Sequence, residues 1–317
     1  MATLTAATLP RWTTPSVARS SHARRSARGL TKAMSSLQAS AGFVPKLIAS
    51  DVDGTLLRSD QMLSPAVKEA VLSAAAAGIP MVLATGKARG PWTKKVFPQI
   101  GLPMPGVYLQ GCLIYDKDGD LLFSRELQED ICRDLISFAA AESLTLTAYC
   151  GERILTEATD VHTDRLLFYE EPTPEGVGPM TAILGKIPVQ KMILMAEQSR
   201  IEEIRPAVAT LMEGRATLTT ALTGMLEILP LGASKGDGVS KLLDILGVAA
   251  ENVMAMGDGE NDVEMLEMAG WGVAMGNAGP HAREVADAVV ASNDEDGVAE
   301  AINKYVLEPL KAAAPPA

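Results

Sequence analysis

Residues 50–57 read SDVDGTLL and directly continue the apolar run KLIAS (46–50). A short apolar run of this kind reads as a strand buried on both faces. Two aspartates one residue apart stand at its carboxyl end. In an unbroken strand, residues two apart face the same side, so Asp51 and Asp53 would repel each other. Two anions that close need a cation between them or a proton on one of them. The stretch reads as a turn, as a pair of metal ligands, or as a nucleophile with its acid.

Outward from this stretch, strands and helices alternate. SPAVKEAVLSAAAAG (64–78) is a helix with Ser64 as N-cap, Pro65 in the first turn and Gly78 at the end. IPMVLAT (79–85) is the next strand, ARGPWTKKVFPQIG (88–101) a helix broken by prolines, and PGVYLQG (105–111) a third strand. The alternation resumes late in the chain. ASKGDGVSKLLDILG (233–247) is a helix, NVMAMGD (252–258) a strand, NDVEMLEMAG (261–270) a helix and WGVAMGN (271–277) a strand. PHAREVADAV (280–289), AVVAS (288–292) and GVAEAINKYVL (297–307) follow as helix, strand and helix. Alternation at this spacing predicts a doubly wound parallel sheet of Rossmann-like α/β class.

Residues 112–222 break the pattern. CLIYDKDGDLLFSREL (112–127) is two alternating runs around an Asp-Gly turn, a hairpin signature. A helix (130–143), strands at 144–150 and 188–197, a helix (200–213) and a strand-like run (216–229) follow. The expected organisation is a core of 43–111 and 223–317 with an inserted α+β domain at 112–222.

The 317 residues are 47% hydrophobic and 21% charged, ordinary for a globular protein. Up to Gly42 there are five Arg, one Lys, many Ser and Thr, and no Asp or Glu. That is the profile of an organelle transit peptide, favouring a plastid stroma over a mitochondrion. The remaining chain has 22 basic against 39 acidic residues, a formal charge near −17. So acidic a body argues against a nucleic-acid surface, and no window approaches eighteen consecutive apolar residues that would span a membrane. Cys112, Cys132 and Cys150 are too scattered for a zinc site or disulfide frame and read as buried thiols. His162 and His281 read as surface or structural histidines.

Ligands of open parallel sheets bind beyond the carboxyl ends of the strands. Asp51, Asp53 and Thr55 follow the first strand, and Thr85, Gly86 and Lys87 the second. Lys235 opens the helix after the insertion, and GDGEND (257–262) follows a later strand. Together they suit phosphoryl transfer, which needs an in-line nucleophile, neutralisation of the phosphoryl oxygens and a proton donor for the leaving oxygen. Asp51 would attack, and Asp53 would carry the proton. Mg²⁺ would sit on Asp51, the Asp53 carbonyl and Asp258, while Thr85 and Lys235 hold phosphate oxygens. Taken singly, each feature has an ordinary structural reading: D-x-D-G-T as a turn, Thr-Gly as a strand–helix turn, Lys235 as a solvated side chain. DKDGD (116–120) reads as the hairpin turn.

Taken together, DVDGTLL (51–57), ATGKAR (84–89), SKGDGV (234–239), MGDGENDVEML (256–266), GVAMGNA (272–278) and NDEDGVAEAI (293–302) resemble the haloacid dehalogenase-like (HAD) superfamily, within it the Cof-type phosphatases with a type IIB cap. The resemblance covers roughly residues 46–307. It implies Asp51 as nucleophile, Asp53 as general acid and base, and Thr85 and Lys235 as phosphate ligands. It further implies Asp258 as a magnesium ligand, Asn261 near the substrate phosphate, Asp262 behind the metal, and a cap that selects the substrate. Two positions depart from the family pattern: Lys87 stands where Arg is usual, and Gln110 precedes Gly111 where Asn is usual. The implied activity is Mg²⁺-dependent hydrolysis of a small phosphorylated metabolite, a sugar phosphate or a phosphorylated cofactor or precursor, through an aspartyl-phosphate. Alternatives are phosphoryl transfer to an acceptor other than water, and a binding or assembly module in organelle RNA processing, since some plant relatives with this cap are joined to a ribonuclease-like domain. The residues set no oligomeric state.

Overall fold

The computed structural model describes residues 43–101 and 104–313; the expected transit segment lies outside them. In chain order the first elements are β1 (Leu47–Ser50), α1 (Pro65–Ala76), β2 (Met81–Ala84), α2 (Pro91–Ile100), β3 (Gly106–Tyr108), β4 (Leu113–Tyr115) and β5 (Leu121–Ser124). There follow α3 (Glu129–Ala141), β6 (Thr145–Cys150), β7 (Arg153–Thr156), α4 (Val161–Phe168), β8 (Glu175–Gly176), β9 (Lys191–Met195), α5 (Gln198–Leu211), β10 (Ala216–Thr219) and β11 (Met225–Pro230). The described chain closes with α6 (Lys235–Leu246), β12 (Val253–Gly257), α7 (Val263–Met268), β13 (Trp271–Ala274), α8 (Pro280–Val285), β14 (Ala288–Val289) and α9 (Gly297–Ile302), which runs on through a π-helical turn (Asn303–Leu307) into α10 (Glu308–Ala313).

Eight strands form the main sheet in the order β14-β13-β12-β1-β2-β3-β4-β5. Pairing is parallel from β14 to β3, and the β4–β5 hairpin adds two antiparallel strands at one edge. The inner parallel strands β1, β2, β12 and β13 are buried along their length on both faces, as their helix-covered position requires. One face packs Val67, Val71 and Trp92, the other Val239, Leu242 and Met265. The fold is the expected doubly wound α/β core. Ser64 caps α1 through the Val67 amide, as the sequence indicates.

A second, six-stranded sheet has the order β10-β11-β9-β6-β7-β8. Its membership shifts both expected limits of the insertion. The hairpin at 113–124 pairs with β3 in the main sheet, because the turn at Leu109–Gly111 reverses the chain beside its own strand. Residues 225–230, assigned from sequence to the core, pair with β9 in the second sheet. The run 216–229 is two strands, parted by a turn in which Gly224 takes a φ of +74°. Strand 105–111 ends early at Tyr108 for the same reason that the hairpin turns back. Helix 261–270 begins only at Val263, because the preceding turn is held by the Asp262 carboxylate.

One face of the second sheet packs α3 and α5 through Leu135, Leu194 and Val208. Strand alternation turns Tyr149, Lys191, Ile193, Met225 and Glu227 to the other face, which looks onto the main sheet. Cys112, Cys132 and Cys150 are buried, and burial pushes each thiol up to about 12. Among the described residues no helix is long and apolar enough to cross a membrane.

Candidate active site

The carboxyl ends of β1, β2 and β12 converge on a cavity of about 380 Å³ between the two sheets. β1 stops at Ser50, and the chain turns at once: the Leu56 and Leu57 amides donate to the Asp51 and Val52 carbonyls. Gly54 completes the turn at φ +76°, where a Cβ would lie 2.5 Å from Asp258 Oδ2. Strict alternation fails there, and the two acids part company. Asp51 accepts from Lys235 Nζ, whereas Asp53 Oδ1 accepts from Lys87 Nζ at 3.0 Å.

Around Asp51 lie Asp258 and Asp262, with carboxylate oxygens of all three within 4.8 Å of one another. Lys235 is the cation set against them, donating to Asp262 Oδ1 at 2.7 Å as well as to Asp51. It stands at the first position of α6, an end whose dipole disfavours a cation. Burial also works against its charge, but Asp262 and Asp51 outweigh both and hold it firmly protonated. Three carboxylates against one ammonium leave an excess of two negative charges. Burial pushes Asp51 well above the usual carboxylate range, with Asp262 adding to the rise and Lys235 opposing it. Burial, then Asp262, pushes Asp258 up to about 6.

The donor set fits a hard divalent cation. Asp262 is already saturated: its second oxygen accepts the Asp258 and Gly259 amides at 3.0 and 2.9 Å. Asp51 and Asp258 are therefore the carboxylates left to meet an ion, with Asp262 fixing the turn behind them. Thr55 and Asn277 orient Asp258, donating to it at 3.2 and 3.1 Å, and Asn277 also donates to the Gly54 carbonyl at 2.8 Å.

Thr85, Gly86 and Lys87 line the cavity from the end of β2. Thr85 accepts the Lys87 amide at 3.1 Å. Beyond Asp53, Lys87 reaches Gln61 Oε1 at 3.1 Å and lies over the Trp92 and Tyr169 rings. Asn261 lines the cavity too, and its amide donates to Gln110 Oε1 at 3.1 Å. Gln110 and Leu109 hold left-handed backbone at φ +57° and +49°, unusual for side chains of their size. The eight residues Asp51, Asp53, Thr85, Gly86, Lys235, Asp258, Asn261 and Asp262 thus gather at one crevice: seven line the cavity, and Asp262 supports it from behind. His162 and His281 stand apart from it.

Sequence reasoning missed the groups contributed by the second sheet. Lys191 donates to the Gly86 carbonyl at 2.7 Å and to Glu227 at 3.1 Å, and both side chains are buried. Glu171 accepts the Ala88 amide at 3.0 Å, and burial pushes it up to about 7 against the pull of Lys191 and Lys87. One signal was available for two of them: KMILM and MLEIL each carry a single charge within an apolar strand. Glu171, in a loop, carries no such mark.

A Rossmann-like α/β core with an acid cluster at its strand ends is the architecture of a phosphoryl-transfer hydrolase. The chain belongs to the haloacid dehalogenase-like hydrolase family, which matches residues 48–302, and it is a phosphohydrolase. It is 37% identical over 278 residues to the chloroplastic endoribonuclease YBEY of Arabidopsis thaliana, a match spanning 84% of this chain and 47% of that one, so the chain matches about half of that relative's length. It is 29% identical over 274 residues to the 5-amino-6-(5-phospho-D-ribitylamino)uracil phosphatase YitU of Bacillus subtilis, over 82% and 97% of the two chains. The structure of a haloacid dehalogenase-like hydrolase from Bacteroides thetaiotaomicron superposes with a TM-score of 0.73 at 28% identity, over 82% and 99% of the two chains.

Proposed function

We propose that this protein is a Mg²⁺-dependent phosphatase of a small phosphorylated metabolite, a sugar phosphate or a phosphorylated cofactor or precursor, acting through an aspartyl-phosphate. The observation that carries this reading is the Asp51–Asp258–Asp262 cluster with its single lysine at the carboxyl ends of β1 and β12. Asp51, whose carboxylate form the Lys235 ammonium favours against the rise that burial brings, attacks phosphorus, and the bond to the leaving oxygen breaks. Asp53, free of the acid cluster and aligned by Lys87, takes part in this step as the protonated acid and gives that oxygen its proton. Asp53 then takes a proton from water as water attacks the aspartyl-phosphate, releasing phosphate and restoring Asp51. The Thr85 hydroxyl, the Gly86 loop, Lys235 and Asn261 bind the phosphoryl oxygens. The Asp51 and Asp258 carboxylates and the Asp53 carbonyl would hold Mg²⁺, which would supply positive charge to offset the acids and the phosphoryl group.

The second sheet serves as a cap that covers the site and selects the substrate. YitU is named for a phosphorylated ribityl compound, which supports a polyol-bearing substrate. The basic segment up to Gly42 directs the chain to plastids, a reading supported by the chloroplastic Arabidopsis relative. That relative's ribonuclease name also favours a second reading, an assembly role in organelle RNA processing. Phosphate release from a panel of phosphomonoesters decides between the two. Mg²⁺-dependent release lost in Asp51→Asn is expected, and equal negligible release by both proteins would sink the enzyme reading. A fusion of residues 1–42 to a fluorescent protein should enter plastids, and cytosolic fluorescence would refute that part.

A further inference from the structure

Beyond the phosphoryl end, the cavity wall carries a definite pattern of charge. Each of its three lysines already holds a carboxylate: Lys235 holds Asp51 and Asp262, Lys87 holds Asp53, and Lys191 holds Glu227. Lys87 and Lys191 are further engaged by Gln61 Oε1 and the Gly86 carbonyl. No arginine stands among the described lining residues. Glu171 is a further acid without a lysine of its own; it accepts the Ala88 amide through one oxygen, while the other lies 3.4 Å from the Tyr149 hydroxyl. Leu166, Ile193 and Met225 complete an apolar strip on the same wall.

We propose that this end of the cavity selects phosphomonoesters whose remainder is uncharged or cationic and rich in hydroxyl or amino donors, and rejects those carrying a carboxylate or a second phosphate. The inference rests on the phosphatase reading and narrows its substrate class. A second anion entering here loses its water and meets no unpaired cation among the described lining residues, while the carboxylates of Glu171, Glu227 and Asp53 stand beside it. Hydroxyl and ammonium groups find in those same carboxylates acceptors for charge-assisted hydrogen bonds. The apolar strip takes the carbon side of such a molecule. Glu227 controls the selection from the side, because it keeps Lys191 occupied.

The test compares three six-carbon phosphomonoesters, glucosamine 6-phosphate, glucose 6-phosphate and 6-phosphogluconate, as competitors of p-nitrophenyl phosphate hydrolysis with Mg²⁺. The inhibition constant for the acid is expected to exceed those of the other two by at least about tenfold, as like-charge juxtaposition predicts. In Glu227→Gln, which releases Lys191, that ratio should shrink at least about fivefold. In Glu171→Gln it should shrink less, since no lysine is freed. Equal inhibition, a reversed order, or no inhibition by any of the three overturns the charge selection while hydrolysis of p-nitrophenyl phosphate leaves the phosphatase reading standing. An unchanged ratio in both variants overturns the assignment to these two carboxylates. Absence of any p-nitrophenyl phosphate hydrolysis brings down the parent reading and the inference with it.

Discussion

Lys87 donates to Asp53 across a 3.0 Å ion pair that joins the turn after β1 to the turn after β2. The pair forms at Lys87, one of the two positions at which the sequence departs from the pattern it resembles. It aligns the proposed proton carrier, so Lys87→Met should lower kcat/KM on phosphomonoesters by roughly tenfold to a hundredfold, within the range of positioned acid–base catalysis. Lys87→Arg, retaining the charge, should recover most of the loss. Steady-state kinetics on the two variants checks this; full activity in Lys87→Met would remove Lys87 from the mechanism.

The acid cluster predicts how the protein responds to metal. Mg²⁺ at a hundredfold excess over its Kd should stabilise the wild type by about 2.7 kcal/mol. Asp258→Asn should lose most of that gain. Asp51→Asn should lower turnover by at least about four orders of magnitude, in line with removal of a nucleophile. Without metal it should melt no lower than the wild type, because a neutral amide relieves repulsion from Asp262 and Asp258. Thermal denaturation with and without Mg²⁺ reads the stability effects.

Lys235 is the cation on which two buried carboxylates depend. Its replacement in Lys235→Met leaves Asp51 and Asp262 without their ammonium partner. Breaking such a buried network typically costs about 3–5 kcal/mol. Urea unfolding of the metal-free protein measures it, and a loss below about 1 kcal/mol would contradict the geometry.

Glu171 makes stability depend on pH in a definite direction. Its ordinary value is 4.5, and burial raises it to about 7 in the folded protein. Between those values the folded state binds more protons than the unfolded state, so stability falls as pH rises through that window. The protonated form's advantage is fully present below about 4.5 and gone above about 7. Glu171→Gln should flatten this slope, and its gain over the wild type should grow with pH towards something on the order of 3 kcal/mol. Parallel slopes for the two proteins from pH 4.5 to 7.5 would show that burial of Glu171 has no such effect.

Gln110 holds a left-handed conformation that asparagine adopts more readily, while its longer side chain reaches Asn261 at 3.1 Å. Gln110→Asn should therefore keep or slightly raise stability. Its shorter amide should raise KM by roughly threefold to tenfold with kcat less affected, the mark of weakened substrate binding. An unchanged KM would mean that Asn261 needs no support from this side.

The strand–helix alternation and the end-of-strand acids were legible because they are local. A four-residue apolar strand, a capping serine, and Asp, Thr or Lys at the next position lie within a few residues of one another. By themselves, then, the residues determined the α/β core, the family resemblance and the eight positions that gather at the crevice. Membership of the sheets was not legible. Nothing in residues 113–124 or 225–230 states which edge they join, since backbone hydrogen bonding is the same in either sheet. The partners of Asp51 and Asp53 were equally hidden. Period-two alternation places them on one face, and only the turn at Gly54 sends one to Lys235 and the other to Lys87. Tertiary structure alone also brought Lys191, Glu227 and Glu171 over the site. Their meeting depends on two sheets closing on one cavity, and charge pairing across such a gap is decided by distance in space, on which sequence separation is silent.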